Sequence, residues 1–464
     1  MSHKKIRLGY AVLPVIFLIG ALFYAVQIAE IDVHIPIFIS GMFAAVIAKI
    51  GGGITWDELE EGVVNTIKMS MGAVIILLII GMVIGTWILS GIVPSMIYYG
   101  LKIINPSAFL PLTVVICSIV SISIGSSWAT ASTVGVALIG IGEGFGIDRN
   151  IIAGAIISGA YFGDKLSPLS DTTNLAPAMA GANLFDHIKH MLYTTVPAYI
   201  ITLGIFTFLG MRNSVGAVTA SDIDAILSTI NRNFNISPFL LMIPVIVIGL
   251  IILKMPAIPG LFLGSIFGGI GAMIFQGKGF ADVMSALHYG YENESGMVMV
   301  DELLNRGGMD SMMWTVSLIL CAMIFGGIME KSGMLGTLAG SVLKYATTTG
   351  RLIFATLMTP IFVNTVAGDQ YLSIVITGRM YKSTFEERGL APKNLSRCLE
   401  DSGTITSALI PWNTCGATMI GALGVAPWAY VPYCFLNYLC PLISMIYGFT
   451  GFTIEKAESI EIKA

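Results

Sequence analysis

From residue 151 to residue 180 the chain reads IIAGAIISGAYFGDKLSPLSDTTNLAPAMA. The stretch is apolar and has residues to spare for one membrane crossing, which takes about 20 residues. Its middle nevertheless holds Asp164, Lys165 and Asp171, and Pro168 interrupts a smooth helix because it lacks an N–H group and its ring clashes with the preceding turn. We therefore predict two half-helices that meet at an unwound stretch, with Asp164 at the C-terminal end of the first and Asp171 near the start of the second.

The composition of the whole chain indicates that this broken segment belongs to a membrane protein. Of 464 residues, 55% are hydrophobic and only 11% are charged, whereas roughly a quarter of the residues in a soluble domain are charged. Apolar runs recur along the chain and predict about 11–13 transmembrane helices. These runs are continuous rather than alternating, which excludes a transmembrane β-barrel. The predicted fold class is an all-α polytopic membrane protein.

Landmarks in the first half of the chain recur in the second half at a nearly constant spacing. Gly125 matches Gly368 and Gly146 matches Gly389, each 243 positions later. The pair Ser158-Gly159 likewise recurs as Ser402-Gly403. Several matches at one offset indicate an internal repeat.

Loop charge predicts that the two repeats face opposite ways in the membrane. The loop 142–150 has one basic residue, whereas its counterpart 379–397 has five. Because basic residues concentrate in cytoplasmic loops, the first loop is predicted to lie outside and the second inside. Two inverted-topology repeats are typical of secondary transporters, whose sites lie near the bilayer midplane on broken helices.

These observations divide the chain into five regions. Thr55 and Glu58 form a capping-box pattern that opens an amphipathic stretch ending at Met69, predicted to lie on the membrane surface. Both termini are predicted to be cytoplasmic, because the N-terminus is basic. The predicted regions are 1–69 (N-terminal helices and the interfacial segment), 70–211 (first repeat), 212–310 (connecting loops and helices), 311–449 (second repeat) and 450–464 (cytoplasmic tail).

Carboxylates inside the apolar segments are the candidate site residues. Each charge at mid-bilayer costs roughly 2.5–3.5 kcal/mol on insertion scales, so several of them together indicate a function. The candidate cation- or proton-binding residues are Asp164, Asp171, Asp369 and Asp401. The candidate supporting residues are Ser126, Ser127, Thr130, Lys165, Ser167, Thr172, Thr173, Asn174, Asn364, Thr404 and Asn413. Hydroxyls and unwound carbonyls beside a carboxylate at a helix C-terminus favour a small hard cation.

The run GDKLSPLSDTTN at 163–174, with GSSWAT at 125–130 and GGGITW at 51–56, resembles the NhaC family of sodium/proton antiporters within the broader ion-transporter superfamily. The resemblance implies a multi-pass protein of the bacterial inner membrane that exchanges cytoplasmic Na⁺ for external H⁺. The broken segment itself makes Asp164 and Asp171 the candidate Na⁺ ligands. A branch of the same family exchanges malate and protons for sodium and lactate, and the motif does not separate the two branches. Related superfamily members suggest a homodimer by analogy.

A mechanism follows if Asp164 or Asp171 holds either a proton or Na⁺ but not both. The two ions then compete for one site, and alternating access converts competition into exchange. Na⁺ and H⁺ are transported ions, the lipid bilayer is the surrounding partner, and neither a cofactor nor nucleic acid is expected. Lys165 would either neutralise a carboxylate in the empty state or anchor a malate carboxylate.

Each candidate also has a structural alternative. Asp164 and Asp171 would instead form a pair with Lys165 or a helix cap, and Asp369 and Asp401 a helix cap or a salt bridge to Arg397. An intramembrane aspartyl protease also uses paired aspartates, but its Gly-x-Gly-Asp element is missing here. A channel would not require broken helices in two opposed halves. The prediction is therefore a transporter and not an enzyme.

Overall fold

The computed structural model describes residues 6–213, 220–253, 255–344 and 346–457, and within these ranges the chain is helical, with one isolated antiparallel bridge between Leu390 and Lys456. The helices of the first part are α1 (Leu8–Phe23), α2 (His34–Gly52), α3 (Trp56–Leu89), α4 (Ile92–Ile103), α5 (Pro106–Ile124), α6 (Ser127–Thr130), α7 (Val136–Gly144), α8 (Arg149–Leu166), α9 (Asp171–Ala180) and α10 (Leu184–Asn213). The middle of the chain forms α11 (Ala220–Asn233), α12 (Met242–Ile252), α13 (Ala257–Gln276), α14 (Phe280–Tyr289) and α15 (Val298–Leu304).

The second part forms α16 (Met313–Lys331), α17 (Met334–Leu343), α18 (Thr349–Ala367), α19 (Gln370–Glu387), α20 (Pro392–Leu399), α21 (Ile405–Ser407), α22 (Thr414–Leu423) and α23 (Phe435–Thr450). Within the described residues, three π-helical segments interrupt or extend these helices, at Tyr24–Ala29, Ala131–Gly135 and Glu400–Thr404. Short 3₁₀ turns lie at Pro238–Leu241, Asp310–Met312 and Val431–Tyr433.

Eight of the described helices are long and apolar enough to cross a membrane, or up to nine if a strongly bent pair counts as one span. The all-α, multi-pass membrane fold is therefore confirmed. Several other apolar runs of the sequence form pairs of shorter helices, such as α8 with α9, which are not among these eight spans. The count of about 11–13 crossings stays a prediction, since it depends on how these broken pairs sit in the bilayer.

The interfacial helix expected to end at Met69 is not a separate element, and this expectation is wrong. The capping box forms, with the Thr55 hydroxyl accepting from the Glu58 amide and the Glu58 carboxylate accepting from the Thr55 amide at 2.9 Å. The helix that it opens continues without interruption for 34 residues to Leu89. No proline occurs between Met69 and Leu89 to end it, so the polar first turns and the apolar span form one helix.

The order of elements repeats along the chain. Glycines with left-handed φ angles mark equivalent boundaries: Gly125 and Gly368 end α5 and α18 at φ 76° and 68°, and Gly146 and Gly389 follow at 72° and 63°. Gly181 and Gly424 end α9 and α22. The repeat of elements matches the sequence landmarks, whereas opposed orientation of the halves in the membrane stays a prediction.

Close contact between α5 and α8 brings the hydroxyl-rich end of α5 to the broken segment. A Cβ atom at Gly159 would lie 2.4 Å from the Val114 carbonyl oxygen, and one at Gly163 would lie 2.4 Å from the Ile122 amide nitrogen. Only glycine allows two helix backbones to approach so closely. Asp164, directly after Gly163, is thereby brought beside the start of α6.

Candidate functional site

The break predicted at Pro168 is present between α8 and α9. Helix α8 ends at Leu166, Ser167 and Ser170 have extended backbone angles, and α9 begins at Asp171. Asp164 lies in the last turn of α8, and Asp171 is the first residue of α9. The negative end of the α8 dipole therefore points toward the unwound stretch, as the sequence predicted.

Two hydroxyl groups hold the Asp164 carboxylate. Ser127 donates to Oδ2 and Ser170 donates to Oδ1, each at 2.6 Å. The Ser170 and Thr172 hydroxyls are 3.2 Å apart, which extends the network toward α9. Asp164 is 7% exposed, so its charge is satisfied by fixed hydroxyls more than by bulk water. The α6–α8 contact and the break thus cooperate to orient one carboxylate.

A cavity of about 500 Å³ opens beside this network. Both Asp164 and Asp171 line it, and Asp171 is solvent-exposed. The remaining polar lining consists of Ser126, Ser127, Ser170, Thr172, Gln370 and Tyr371, and the apolar lining includes Ile76, Ile124, Trp128 and Met255. Among the described residues that line the cavity, none is basic. Two carboxylates and several hydroxyls make this a cation-attracting chamber of oxygen ligands, the kind that hard cations prefer.

The other predicted supporting residues fall into two groups. Some stabilise the break and do not line the cavity: Ser167 donates to the Ile122 carbonyl at 2.7 Å, Thr173 to the Asp164 carbonyl at 2.9 Å, and Asn174 to the Ser170 carbonyl at 2.7 Å. Thr130 donates within its own helix, to the Ser126 carbonyl. In the second repeat, Asn364 donates to the Gly403 carbonyl at 2.7 Å, and Asn413 donates to the Asn364 side chain at 3.2 Å.

Asp369 occupies a helix-capping position. Its Oδ1 accepts from the Leu372 amide at 3.0 Å at the start of α19, and Thr414 lies 3.3 Å from its Oδ2. The equivalent residue of the first repeat, Ser126, accepts from the Ala129 amide in the same way. The structural alternative for Asp369, a mirror-helix cap, is therefore the contact observed. Its neighbours Gln370 and Tyr371 line the cavity.

Asp401 lies apart from the cavity lining and pairs with Lys165. Both side chains are inaccessible to solvent, and Thr194 of α10 donates to the same Asp401 oxygen at 3.0 Å. The pair joins the last turn of α8 to the π-helical segment Glu400–Thr404. Lys165 therefore neutralises a carboxylate of the second repeat and does not point a free ammonium group into the cavity.

Glu400 is the residue that the sequence-based site list missed. It is 0% exposed, and neither carboxylate oxygen accepts a well-formed hydrogen bond within the described part of the chain, although the Thr404 and Thr172 hydroxyls lie close. Thr404 is itself buried without a hydrogen-bond partner for its hydroxyl among those residues. Glu400 sits near the charges of both Asp164 and Lys165, between the cavity and the buried pair. Its adjacency to Asp401 was visible in the sequence, but its burial was not.

His187 and His190 flank Lys189 in a stretch that the sequence alone indicates to be a surface loop, but both are buried, so that interpretation is wrong. Their exposed fractions are 0% and 2%. They lie in the first turns of α10, where the Lys393 and Thr453 carbonyls contact the ring nitrogens of His190 at 3.2 and 2.8 Å. Chain segments distant in sequence contact His190, which the composition of a loop does not reveal.

Comparison with known proteins finds that this chain is similar to several antiporters. A protein-family model described as the Na⁺/H⁺ antiporter family matches residues 159–452. The Na⁺/H⁺ antiporter NhaC of Alkalihalophilus pseudofirmus is 39% identical over 464 residues, covering 99% of both chains. The arginine/ornithine antiporter ArcD of Halobacterium salinarum is 37% identical over 97% of this chain and 93% of its own. The malate-2H⁺/Na⁺-lactate antiporter of Bacillus subtilis is 36% identical over 94% of this chain and 93% of its own.

Proposed function

Because this chain belongs to the Na⁺/H⁺ antiporter family, we propose that it exchanges Na⁺ for H⁺ by alternating access, with the two ions competing at Asp164 and Asp171. The cavity at the α8–α9 break carries this proposal. It combines two carboxylates with hydroxyl groups that can serve as oxygen ligands, and Asp164 is already oriented by Ser127 and Ser170. A carboxylate in such a chamber binds a proton or a small cation, and one excludes the other.

The exchange cycle follows from this competition. With the cavity open to one side, Na⁺ displaces the proton from the carboxylate. When the cavity opens to the other side, a proton displaces Na⁺. The proposal requires no cofactor and no covalent step, so we infer a transporter and not an enzyme.

We further propose that the protein lies in the bacterial inner membrane with both termini in the cytoplasm, and that it assembles as a homodimer. The predicted termini lie partly outside the described residues.

Exchange of malate and protons for sodium and lactate is the second candidate, because one relative carries that name. A dicarboxylate needs a cationic partner, and Lys165 was the candidate anchor. Its ammonium group is instead paired with Asp401, and the described lining of the cavity supplies two negative charges and no positive one. This charge pattern favours a cation over an organic anion as the ligand of the cavity.

The test is exchange by the purified protein in proteoliposomes loaded with a pH-sensitive dye. Na⁺ pulses are applied with and without malate inside and lactate outside, and Asp171→Asn is compared with Asp186→Asn, a change at an exposed aspartate of α10. We expect Na⁺ alone to move protons in the wild type and the Asp186 variant, and the Asp171 variant to lose this movement. Proton movement only in the presence of the organic acids would replace the proposal with the malate/lactate activity.

A further inference from the structure

The C-terminal segment Gly451–Ala457, here called the strap, folds back over the loop before α20. The Ala391 amide donates to the Glu455 carbonyl at 3.0 Å, and the Ala457 amide donates to the Gly389 carbonyl at 2.8 Å. Lys393 and Glu455 form an ion pair at 2.5 Å. These contacts, together with the bridge between Leu390 and Lys456, attach the strap along one edge of the second repeat.

Thr453, within the strap, reaches a buried arginine. Its hydroxyl accepts a hydrogen bond from Nη1 of Arg397 at 2.8 Å, and its carbonyl accepts from His190 at 2.8 Å. Thr453 has a φ angle of 61°. This left-handed conformation is unfavourable for a β-branched residue and persists only where surrounding contacts enforce it. The strap is therefore held in a strained conformation at the point where it contacts Arg397.

Arg397 is incompletely paired despite its burial. Its exposed fraction is 0%, and its Nε and Nη2 atoms have no hydrogen-bond partner among the described residues. Oδ2 of Asp401 likewise lacks a partner in that part of the chain, and it lies 4.0 Å from Nε of Arg397. The other oxygen of Asp401 is taken by Lys165. One carboxylate thus lies between two buried cations, only one of which is within hydrogen-bonding distance.

We propose that the strap is a latch in which Thr453 is a positioning residue that holds Arg397 away from Asp401. When the strap lifts, Arg397 moves by about 1 Å, the difference between the observed separation and a charge-assisted hydrogen bond, and takes the free oxygen of Asp401. Arg397 then competes with Lys165 for the same carboxylate. The Lys165–Asp401 pair, which ties α8 to the π-helical segment of the second repeat, is loosened.

This latch rests on the proposed function, because loosening the tie between the two broken helices is what alternating access requires. With the strap docked, Thr453 accepts a hydrogen bond from one nitrogen of Arg397. Nε and Nη2 of Arg397 and Oδ2 of Asp401 stay buried without hydrogen bonds, which costs free energy. With the strap lifted, these buried groups pair with one another. The docked strap therefore slows the conformational cycle without contacting the ion-binding cavity.

The first test removes only the latch hydroxyl. Thr453→Val keeps the β-branched shape and the φ preference, and Thr347→Val is the matched control, because Thr347 also accepts from an arginine, Arg351, at 3.0 Å but is exposed. We expect Thr453→Val to raise the maximal rate of Na⁺/H⁺ exchange about fivefold, the equivalent of one hydrogen bond of about 1 kcal/mol, with an unchanged Na⁺ concentration for half-maximal rate. A rate equal to that of the wild type and the Thr347 variant would overturn the latch.

The second test locks the strap in place. Leu390→Cys combined with Lys456→Cys puts two thiols at the paired positions of the bridge, and Lys456→Cys alone controls for the six native cysteines. Oxidation should abolish exchange in the double variant, and reductant should restore it. Full exchange with the disulfide verified by mass spectrometry would overturn the proposal, and this test decides the matter if Thr453→Val does not fold.

A third measurement separates the latch from the proposed function. The Glu455 amide donates to the Asn394 side chain and the Ala457 amide donates to the Gly389 carbonyl, and hydrogen exchange at these two amides does not depend on transport. Thr453→Val should accelerate hydrogen exchange at both amides. An unchanged rate of hydrogen exchange would overturn the latch itself. A wild-type protein that shows no Na⁺-driven proton movement would refute the proposed function, and the amide measurement would still report whether Thr453 secures the strap.

Discussion

The ammonium group of Lys165 pairs with Oδ1 of Asp401 in an ion pair that solvent does not reach. The two residues are 236 positions apart and belong to the broken segments of different repeats. Removing one partner of a buried ion pair is far more costly than removing both, because the remaining charge is left without compensation. The pair therefore links the two repeats, and substitutions of Lys165 and of Asp401 are expected to have different effects on stability.

Asp401→Asn should destabilise the protein more than Lys165→Met. The first change leaves two buried cations, Lys165 and Arg397, beside a neutral amide, and we expect a loss of about 3–5 kcal/mol in the free energy of unfolding. The second leaves Asp401 with Arg397, 4.0 Å away, as a replacement partner. The unfolding temperatures of both variants and of the double variant in detergent provide a double-mutant cycle. Equal losses in the two single variants would contradict this order.

Ser170→Ala should weaken Na⁺ binding. The Ser170 hydroxyl donates to Asp164 at 2.6 Å, and a hydrogen bond to a charged group contributes about 1.5–3 kcal/mol. We expect the Na⁺ concentration for half-maximal exchange to rise by about tenfold or more. Ser123→Ala is the control, since the exposed Ser123 hydroxyl donates to the Ile119 carbonyl of its own helix. A shift of similar size in both variants would show that the effect is not specific to Asp164.

Local sequence signals predicted the features that local chemistry determines. Pro168 forces the break because it lacks an N–H group, and the capping box at Thr55 does begin a helix. The glycines that match across the repeat have the left-handed φ angles that favour glycine. Each of these signals acts within a few residues, which is why a single sequence suffices to detect it.

Features that depend on distant segments were not predictable in the same way. The burial of His190 depends on Thr453, 263 positions away. Asp369 was predicted as a possible ion ligand, yet the backbone of α19 uses it as a cap. Glu400 was not among the candidate site residues, because its position along the chain did not exclude a location at the membrane interface, and its burial is visible only in the structure. The roles of all these residues in ion binding stay predictions.

Glu400→Gln should raise the stability of the protein. A buried carboxyl group with no well-formed hydrogen bond costs about 1–3 kcal/mol, and an amide of the same shape can donate to the nearby Thr404 and Thr172 hydroxyl oxygens. Residues that natural sequences retain against such a cost are usually functional, so exchange should fall in the same variant. The unfolding temperature and the exchange rate are compared with those of Glu386→Gln, which changes an exposed carboxylate. A lower unfolding temperature would mean that Glu400 has a stabilising partner.

Gly125→Ala should impair ion exchange by displacing the backbone of the unwound stretch that holds Asp164. Gly125 ends α5 at φ 76°, and a Cβ atom there would lie 2.7 Å from both the carbonyl carbon and the Cβ atom of Leu169. Leu169 precedes Ser170 in the break, so the unwound stretch must move and the hydrogen bond from Ser170 to Asp164 is lost.

We expect Na⁺-driven proton movement to fall at least as far as in Ser170→Ala, with a lower unfolding temperature, because an L-residue in the left-handed region adds about 1–2 kcal/mol of strain to the clash. Gly204→Ala is the matched control, since a Cβ atom at Gly204 meets nothing within 4 Å and α10 is an ordinary helix there. If Gly125→Ala retained wild-type exchange, the position of the break would not depend on this contact, and the geometry of Asp164 would have to be maintained by Ser127 alone.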